Sequence, residues 1–221
     1  TSGSLVDEGE LVSFQATVSD GEDAATDLTL SWVSDLDGEF STQGSDSTGS
    51  IVFTETDLSV GTHTITVTVT DTDGLYSTGL LTLQINGLPS APEVALSPDP
   101  ATTEDDLVVT ITAAPVDPDG DPVTYGYAWS VDGVASSASS TATLPSTDTQ
   151  KGETWTVEVT PNDGTSDGSA GSDSLTINNT APGVSDVTID PDPAFAEDVL
   201  LCTWTFSDAD SDGDQSTVEW S

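Results

Sequence analysis

Residues 61–74 read GTHTITVTVTDTDG. From Thr64 to Thr70 every second residue is apolar. A period of two places Ile65, Val67 and Val69 on one face and the threonines on the other, the mark of a half-buried β-strand. Asp71-Thr72-Asp73-Gly74 then supplies residues that favour a turn. The same strand and turn recur as TVEVTPNDG at 156–164, 90 residues after TVTVTDTDG at 66–74. LTLQIN (81–86) returns as SLTIN (174–178), and SPDPATTEDDL (97–107) as DPDPAFAEDVL (190–200). DPDGDPVTYGYAW (117–129) pairs with DSDGDQSTVEW (210–220), so Trp32, Trp129 and Trp220 fall at one point of a unit of 91–97 residues. A unit of that size, with short strands and turns every 8–12 residues, fits one β-sandwich.

The expected organisation is two sandwiches at 1–87 and 88–179, and the N-terminal part of a third at 180–221. In the first, strands are predicted near 11–19, 28–33, 49–54, 63–70 and 80–85. That sandwich lacks a first strand of its own, because only Leu5-Val6 precedes its acidic turn. In the third, strands are predicted near 184–189 and 199–206, with another entered at Val218. The linkers, NGLPSAP (86–92) and NNTAPG (178–183), are short and proline-bearing, so they read as stiff. Predicted inward positions are Val12, Phe14, Ala16, Val18 and Trp32; then Leu107, Val109, Ile111, Trp129, Trp155, Val157 and Val159; then Leu200, Cys202, Trp204 and Phe206.

Forty acidic residues face one lysine, Lys151, and one histidine, His63, for a net charge of -39. No cationic surface exists to neutralise phosphates, which excludes nucleic acid as a partner. No apolar run approaches the ~18 residues needed to span a bilayer. A single lysine is too few for a phosphate clamp. His63, amid threonines at a strand entrance, reads as a surface or edge histidine. No Cys/His zinc cluster, nucleophile elbow or phosphate loop is present, so the chain is not expected to be an enzyme.

GTHTITVTVTDTDG resembles the last strands of PKD-like and related immunoglobulin-like repeats of bacterial surface proteins. DPDGDPVTYGYAW, with KGETWTVEVTPNDGT (151–165), is similar to tandem Ig-like repeats of large extracellular proteins. The PKD motif WDFGDG is replaced by SWVSDLDGEF (31–40). The resemblance implies an all-β fold of tandem immunoglobulin-like β-sandwich domains, the last one incomplete, in an extracellular or cell-surface setting. It also implies that Cys202, aligned with Val109, meets a partner cysteine near residue 250 of a longer chain. A plain buried cysteine is the alternative.

The acids are 29 Asp and 11 Glu, bunched between the predicted strands. Closely spaced carboxylates repel unless a cation lies between them, and Ca²⁺ takes six to eight oxygens. Isolated pairs such as Asp37-Gly38 and Asp132-Gly133 read as plain turns. DPDGD (117–121) and DADSDGD (208–214) read as calcium loops, and Asp208, Asp210, Asp212, Gly213 and Glu219 fit a D-x-D-x-D-G-x5-E pattern. Strand-like flanks argue against paired EF-hand helices. Sandwich geometry gathers Glu8, Glu10, Asp57 and Asn86 opposite Asp117, Asp119 and Asp163, with Asp121 a further ligand of the DPDGD loop. It likewise gathers Glu104, Asp105, Asp148 and Asn178 opposite Asp208 and Asp210, with Asp212 and Asp214 further ligands of the DADSDGD loop. This resembles the interdomain calcium sites of cadherin-like repeats. The expected partners are calcium ions and further Ig-like repeats of the same chain, with self-assembly into fibres as an extension. The expected role is a calcium-stiffened surface stalk, matrix protein or filament; the alternative is an adhesin or carbohydrate-binding module. Adaptation to high salt also explains acidity, but it would spread acids over the strands, whose outward faces here are Thr and Ser.

Overall fold

The computed structural model describes residues 3–219. Trp220, expected to mark the third repeat, lies outside them. The chain forms two compact units, Thr1–Ala91 with Pro115–Thr124 and Pro161–Ser169, and Pro92–Ala114 with Tyr125–Thr160 and Ala170–Ser221. Among the described residues all regular structure but two short 3₁₀ turns is strand.

In the first unit β1 (Ser4–Asp7), β3 (Thr29–Ser34), β4 (Gly38–Ser41), β6 (Gly61–Thr70) and β7 (Tyr76–Asn86) make one sheet, in the order β1-β7-β6-β3-β4. The alternating stretch is β6, antiparallel to both β3 and β7. The second sheet is the pair β2 (Val12–Thr17) and β5 (Ser50–Glu55). Their inner faces bury Val12, Phe14, Trp32, Ile51, Ile65 and Leu83 in one core. Phe14 stacks on Phe53 at 5.1 Å between ring centres and meets Trp32 edge-on at 5.8 Å. Truncating a ring here would cost about 3–5 kcal/mol. Ala16 and Val18, predicted to face inward, are half-buried at the margin of this core.

His63 is buried, not on the surface as its sequence setting suggests. Strand alternation puts it on the face of Ile65, and its polar atoms are satisfied there. Nε2–H donates to the Ser59 carbonyl at 2.6 Å, and Nδ1 meets the Ser34 hydroxyl at 2.7 Å.

In the second unit β8 (Glu93–Ser97), β10 (Leu107–Ala113) and β13 (Thr143–Leu144) form one sheet. The other holds β9 (Ala101–Thr102), β11 (Thr124–Val131), β12 (Val134–Ser136), β14 (Thr154–Asn162) and β15 (Gly171–Asn178). Leu107, Val109, Trp129, Trp155, Val157 and Val159 are buried between them, and Ile111, Tyr125 and Tyr127 pack against them. Val134 is left outside the core, 67% exposed. The hairpin β16 (Gly183–Asp190) and β17 (Leu201–Ser207) also belongs to this unit. Cys202, Trp204 and Phe206 alternate as half-buried positions on β17, while Leu200 is exposed at its start. Val218 is in no strand.

The sandwiches match strand for strand with one exception. β1 runs parallel to β7 with Asp7 opposite Asn86, and β9 runs parallel to β15 with Thr102 opposite Asn178. Leu5-Val6 is therefore the counterpart of Pro100-Ala101, inside a strand, and the first unit shows no counterpart of β8 among its described residues.

Candidate functional site

Two aspartate loops share one geometry. In the first, Asp117 Oδ1 accepts the N–H groups of Asp119 (3.0 Å) and Asp121 (2.9 Å). In the second, Asp208 Oδ1 accepts those of Asp210 and Asp212, both at 2.9 Å. Each turn needs one residue in the left-handed region, supplied by Gly120 (φ 79°) and by Ser211 (φ 63°). The second loop is thus Asp208–Asp212, two residues earlier than the match of DPDGD to DSDGD indicates. Within each trio one carboxylate oxygen from each residue lies within 4.8 Å of the other two.

A linker runs into each loop. The Gly87 N–H donates to Asp119 Oδ2 at 2.6 Å, and the Thr180 N–H to Asp210 Oδ2 at 2.6 Å. Around the first loop the Asn86 side-chain amide donates to Asp7 and to Asp163, both at 3.0 Å. Ser166 Oγ donates to Asp7 at 2.6 Å, and the Leu88 N–H to Glu8 at 2.9 Å. Asp163 is 6% exposed. Burial pushes its carboxyl up, but the Ser166 N–H, the Asn86 amide and the Thr165 N–H outweigh this and hold it below the usual carboxylate range.

Around the second loop the partner is a cation. Lys151 Nζ donates to Asp212 and, at 3.2 Å, to Asn179 Oδ1. The Asp212 carboxylate, with Asp210 and Asp208 behind it, holds the ammonium above its usual value.

Among the described residues three carboxylate oxygens are buried with no hydrogen-bond donor: Asp117 Oδ2, Asp208 Oδ2 and Asp210 Oδ1. A buried polar atom without a partner is costly, and an anionic one more so. Two unit charges 4 Å apart repel by about 1 kcal/mol in water and about 4 kcal/mol at an effective dielectric of 20. The Asp71 turn shows that the loop shape alone does not require this. Asp71 Oδ1 accepts the N–H groups of Asp73 and Leu75 in the same way, but Asp71 and Asp73 belong to no such trio and leave no buried oxygen without a donor.

The other predicted ligands are placed as follows. Glu10 is exposed, and its backbone N–H bonds to the Asp7 carbonyl. Glu104 is exposed. Asp105 turns back on Thr102, whose hydroxyl and N–H hold it below the usual carboxylate range. Asn178 donates to the Ala101 carbonyl at 3.0 Å. Asp214 accepts the Ser216 N–H, and Glu219 lines a cleft with Val184 and Trp204 rather than joining the loop. Sequence reasoning left out Asp7 and Lys151. Asp7 heads the acidic turn Asp7-Glu8-Gly9-Glu10, and Lys151 is the only lysine in the chain.

Ser34, His63 and Asp37 come together as a hydrolase triad would, with Asp37 Oδ2 3.6 Å from His63 Nδ1. Their wiring is structural. The imidazole N–H is spent on the Ser59 carbonyl, and the Ser34 hydroxyl oxygen accepts the N–H groups of Leu36 and Asp37. Ser34 and His63 are 1% and 0% exposed, so no substrate reaches either.

Residues 1–82 match the model of the PKD domain family. No curated protein matches the chain. Among solved structures the chain is similar to the fibronectin(III)-like modules of Clostridium thermocellum CbhA, at 15% identity and TM-score 0.36, covering 80% of this chain and 90% of that one. It is similar to the N-terminal eight Ig domains of the Down syndrome cell adhesion molecule, at 17% identity and TM-score 0.44, covering 79% and 26%. It is also similar to the titin I-band fragment I67–I69, at 11% identity and TM-score 0.38, covering 80% and 62%. The described residues are nearly all-β, arranged in Ig-like sandwiches, and no helix among them is long and apolar enough to cross a membrane.

Proposed function

We propose that the chain is a calcium-stiffened segment of an extracellular stalk, matrix protein or filament built from successive Ig-like repeats. One observation carries this reading. Two loops with the same hydrogen-bond pattern each hold a linker N–H and each bury carboxylate oxygen that no donor reaches. All the donors on offer are hard oxygens, which suit Ca²⁺. Asp117, Asp119 and Asp121 would hold one ion and Asp208, Asp210 and Asp212 another. The ion would cancel the repulsion within each trio. Asp119 and Asp210 would then join ion to linker, because each also accepts a linker N–H. That coupling gives calcium a mechanical consequence, since a linker fixed to a metal-bound loop loses freedom it would otherwise keep.

Thermal unfolding in EDTA and in millimolar calcium, at fixed ionic strength, tests the proposal. A calcium-selective rise in melting temperature, not reproduced by sodium, is expected. Small-angle scattering should show a narrower spread of shapes under the same conditions. Equal melting curves would reduce both loops to turns.

A polar cleft of about 780 Å³ in the second unit favours a second reading, a module that recognises a ligand through its loops. Thr103, Ser146, Thr149, Gln150, Lys151 and Asp210 line it. Binding to immobilised glycans that is lost in Gln150→Ala would support it.

A further inference from the structure

Asparagine followed by glycine occurs once in the chain, at Asn86-Gly87, where β7 passes into the first linker. The pair is chemically labile. Glycine has no Cβ to shield its backbone nitrogen, so that nitrogen attacks the asparagine Cγ. A carbon–nitrogen bond forms, the side-chain nitrogen leaves as ammonia, and water opens the cyclic imide to aspartate or isoaspartate.

The fold calls for both residues. A Cβ on Gly87 would lie 2.7 Å from Pro118 Cβ, 2.8 Å from its Cγ and 3.0 Å from Val60 Cγ1, and a proline ring has no free rotation with which to give way. At position 86 one neutral side chain serves two carboxylates, because its Nδ2 donates to Asp7 and to Asp163, both at 3.0 Å. Aspartate accepts only, and serine has a single hydrogen to give. At the second linker the corresponding pair is Asn178-Asn179, and the Asn178 amide goes to the backbone carbonyls of Ala101 and Thr176 instead. The labile pair is therefore confined to the first linker.

The same contacts suppress the reaction. Asn86 is 2% exposed, which keeps out the water that would open the imide. Its carbonyl accepts the Glu8 N–H at 2.8 Å and it lies opposite Asp7 in the ladder, so its backbone is held extended. The attacking group is engaged as well, since the Gly87 N–H donates to Asp119 Oδ2 at 2.6 Å. Loss of the amide would break both bonds to the carboxylates.

We propose that Asn86 is a deamidation site gated by this hub, and that the reaction releases the linker irreversibly. The bond reacts only while the hub is open, so its rate follows local opening. The product sets a third carboxylate against Asp7 and the buried Asp163, where acceptor faces acceptor and like charges repel. Isoaspartate also lengthens the main chain by one carbon, which breaks the register of β7 with β1. The hub then has no way to close again, and a transient opening becomes a permanent change.

The test uses the 221-residue chain in mildly alkaline buffer with EDTA, so that calcium plays no part, both folded and unfolded in urea. Peptide mass spectrometry follows conversion at Asn86. The folded chain should convert roughly a hundredfold more slowly than the unfolded one, as two hydrogen bonds to carboxylates imply. Asp7→Ala removes one of the two and should raise the folded rate roughly tenfold, leaving the rate in urea unchanged. Asn86→Asp supplies the product directly. It should lower the melting temperature of the first unit by roughly 10 °C, and remove hydrogen-exchange protection at the Glu8, Gly87 and Leu88 amides, which the hub now bonds. If that variant does not fold, chain converted in urea is returned to buffer beside unconverted chain from the same sample, and the same three amides should lose protection. Equal rates in the folded and unfolded chain, a folded rate that Asp7→Ala leaves unchanged, or full protection of those amides with a carboxylate at position 86 would each overturn the proposal.

Discussion

The loop Asp117–Asp121 takes a linker N–H from Gly87, next to Asn86, whose carboxamide joins Asp7 to the buried Asp163, whereas the loop Asp208–Asp212 also meets an ammonium. Their internal hydrogen bonds are the same, down to the left-handed residue and the linker N–H. What differs is how the surroundings answer the negative charge. Around the first loop Asn86 spreads neutral donors between Asp7 and Asp163. A neutral amide satisfies lone pairs but cancels no charge. Around the second, Lys151 supplies part of a cation from within the chain. One motif in two settings separates loop geometry from charge balance.

The largest expected effect tests the first setting. A site held at 100 times its dissociation constant gains about 2.7 kcal/mol from its ion. For a unit of this size that raises the melting temperature by roughly 10 °C or more. Asp117→Asn should remove most of the calcium-dependent rise of the first unit and leave that of the second. Asp208→Asn should do the reverse with a smaller loss, because Lys151 already offsets part of the charge. Differential scanning calorimetry of both variants, with and without calcium, reads the two increments. Equal losses would mean that the lysine does not matter to the ion.

Much of this was legible in the sequence, and its failures are instructive. Threonine alternation placed β6, and the 90-residue echo placed β14. The trio Asp117, Asp119 and Asp121 was visible because Gly120 marks its turn. The second trio was named from its D-x-D-x-D spacing, but the repeat alignment of DPDGD with DSDGD set it two residues late, because Ser211, not Gly213, takes the left-handed conformation there. A search anchored on Asp-Gly has no means of seeing that. His63 was misjudged from its neighbours, although its own period-two position pointed inward with Ile65. The role of Asp7 depends on a parallel pairing of β1 with β7, and such a long-range register has no local signature.

Acid should distinguish the settings next. Asp163 is held below the usual carboxylate value, so its contribution is complete above the unfolded value near 3.8 and is lost as pH falls through the lower folded one. Lys151 is held above its ordinary value of 10.5, so its contribution is complete below that value and is lost as pH rises through the folded one. Without calcium, lowering the pH from 5 to 3 should cost the first unit a few degrees through Asp163. Asp163→Asn should flatten that part of the melting-temperature curve and leave the alkaline limb unchanged. A curve with the same acid slope in the variant would show that Asp163 does not carry the dependence.

The smallest effect bears most directly on the comparison. Lys151 is 40% exposed, and exposed ion pairs contribute little because water and salt screen them. Its ammonium nevertheless occupies a donor position on Asp212 that an incoming ion would need. Lys151→Met keeps the aliphatic stem and removes the charge. In the variant the second loop should bind calcium about two- to fivefold more tightly, and its affinity should depend more steeply on salt. The first loop should not change. Calcium titration of Lys151→Met beside Lys151→Arg reads this, since arginine restores a cation with different geometry. If methionine and arginine give the same affinity, the charge is irrelevant and the two loops differ in shape alone. If only methionine tightens binding, the single lysine of a chain with forty acids is a tethered competitor for calcium at one of two otherwise matching sites.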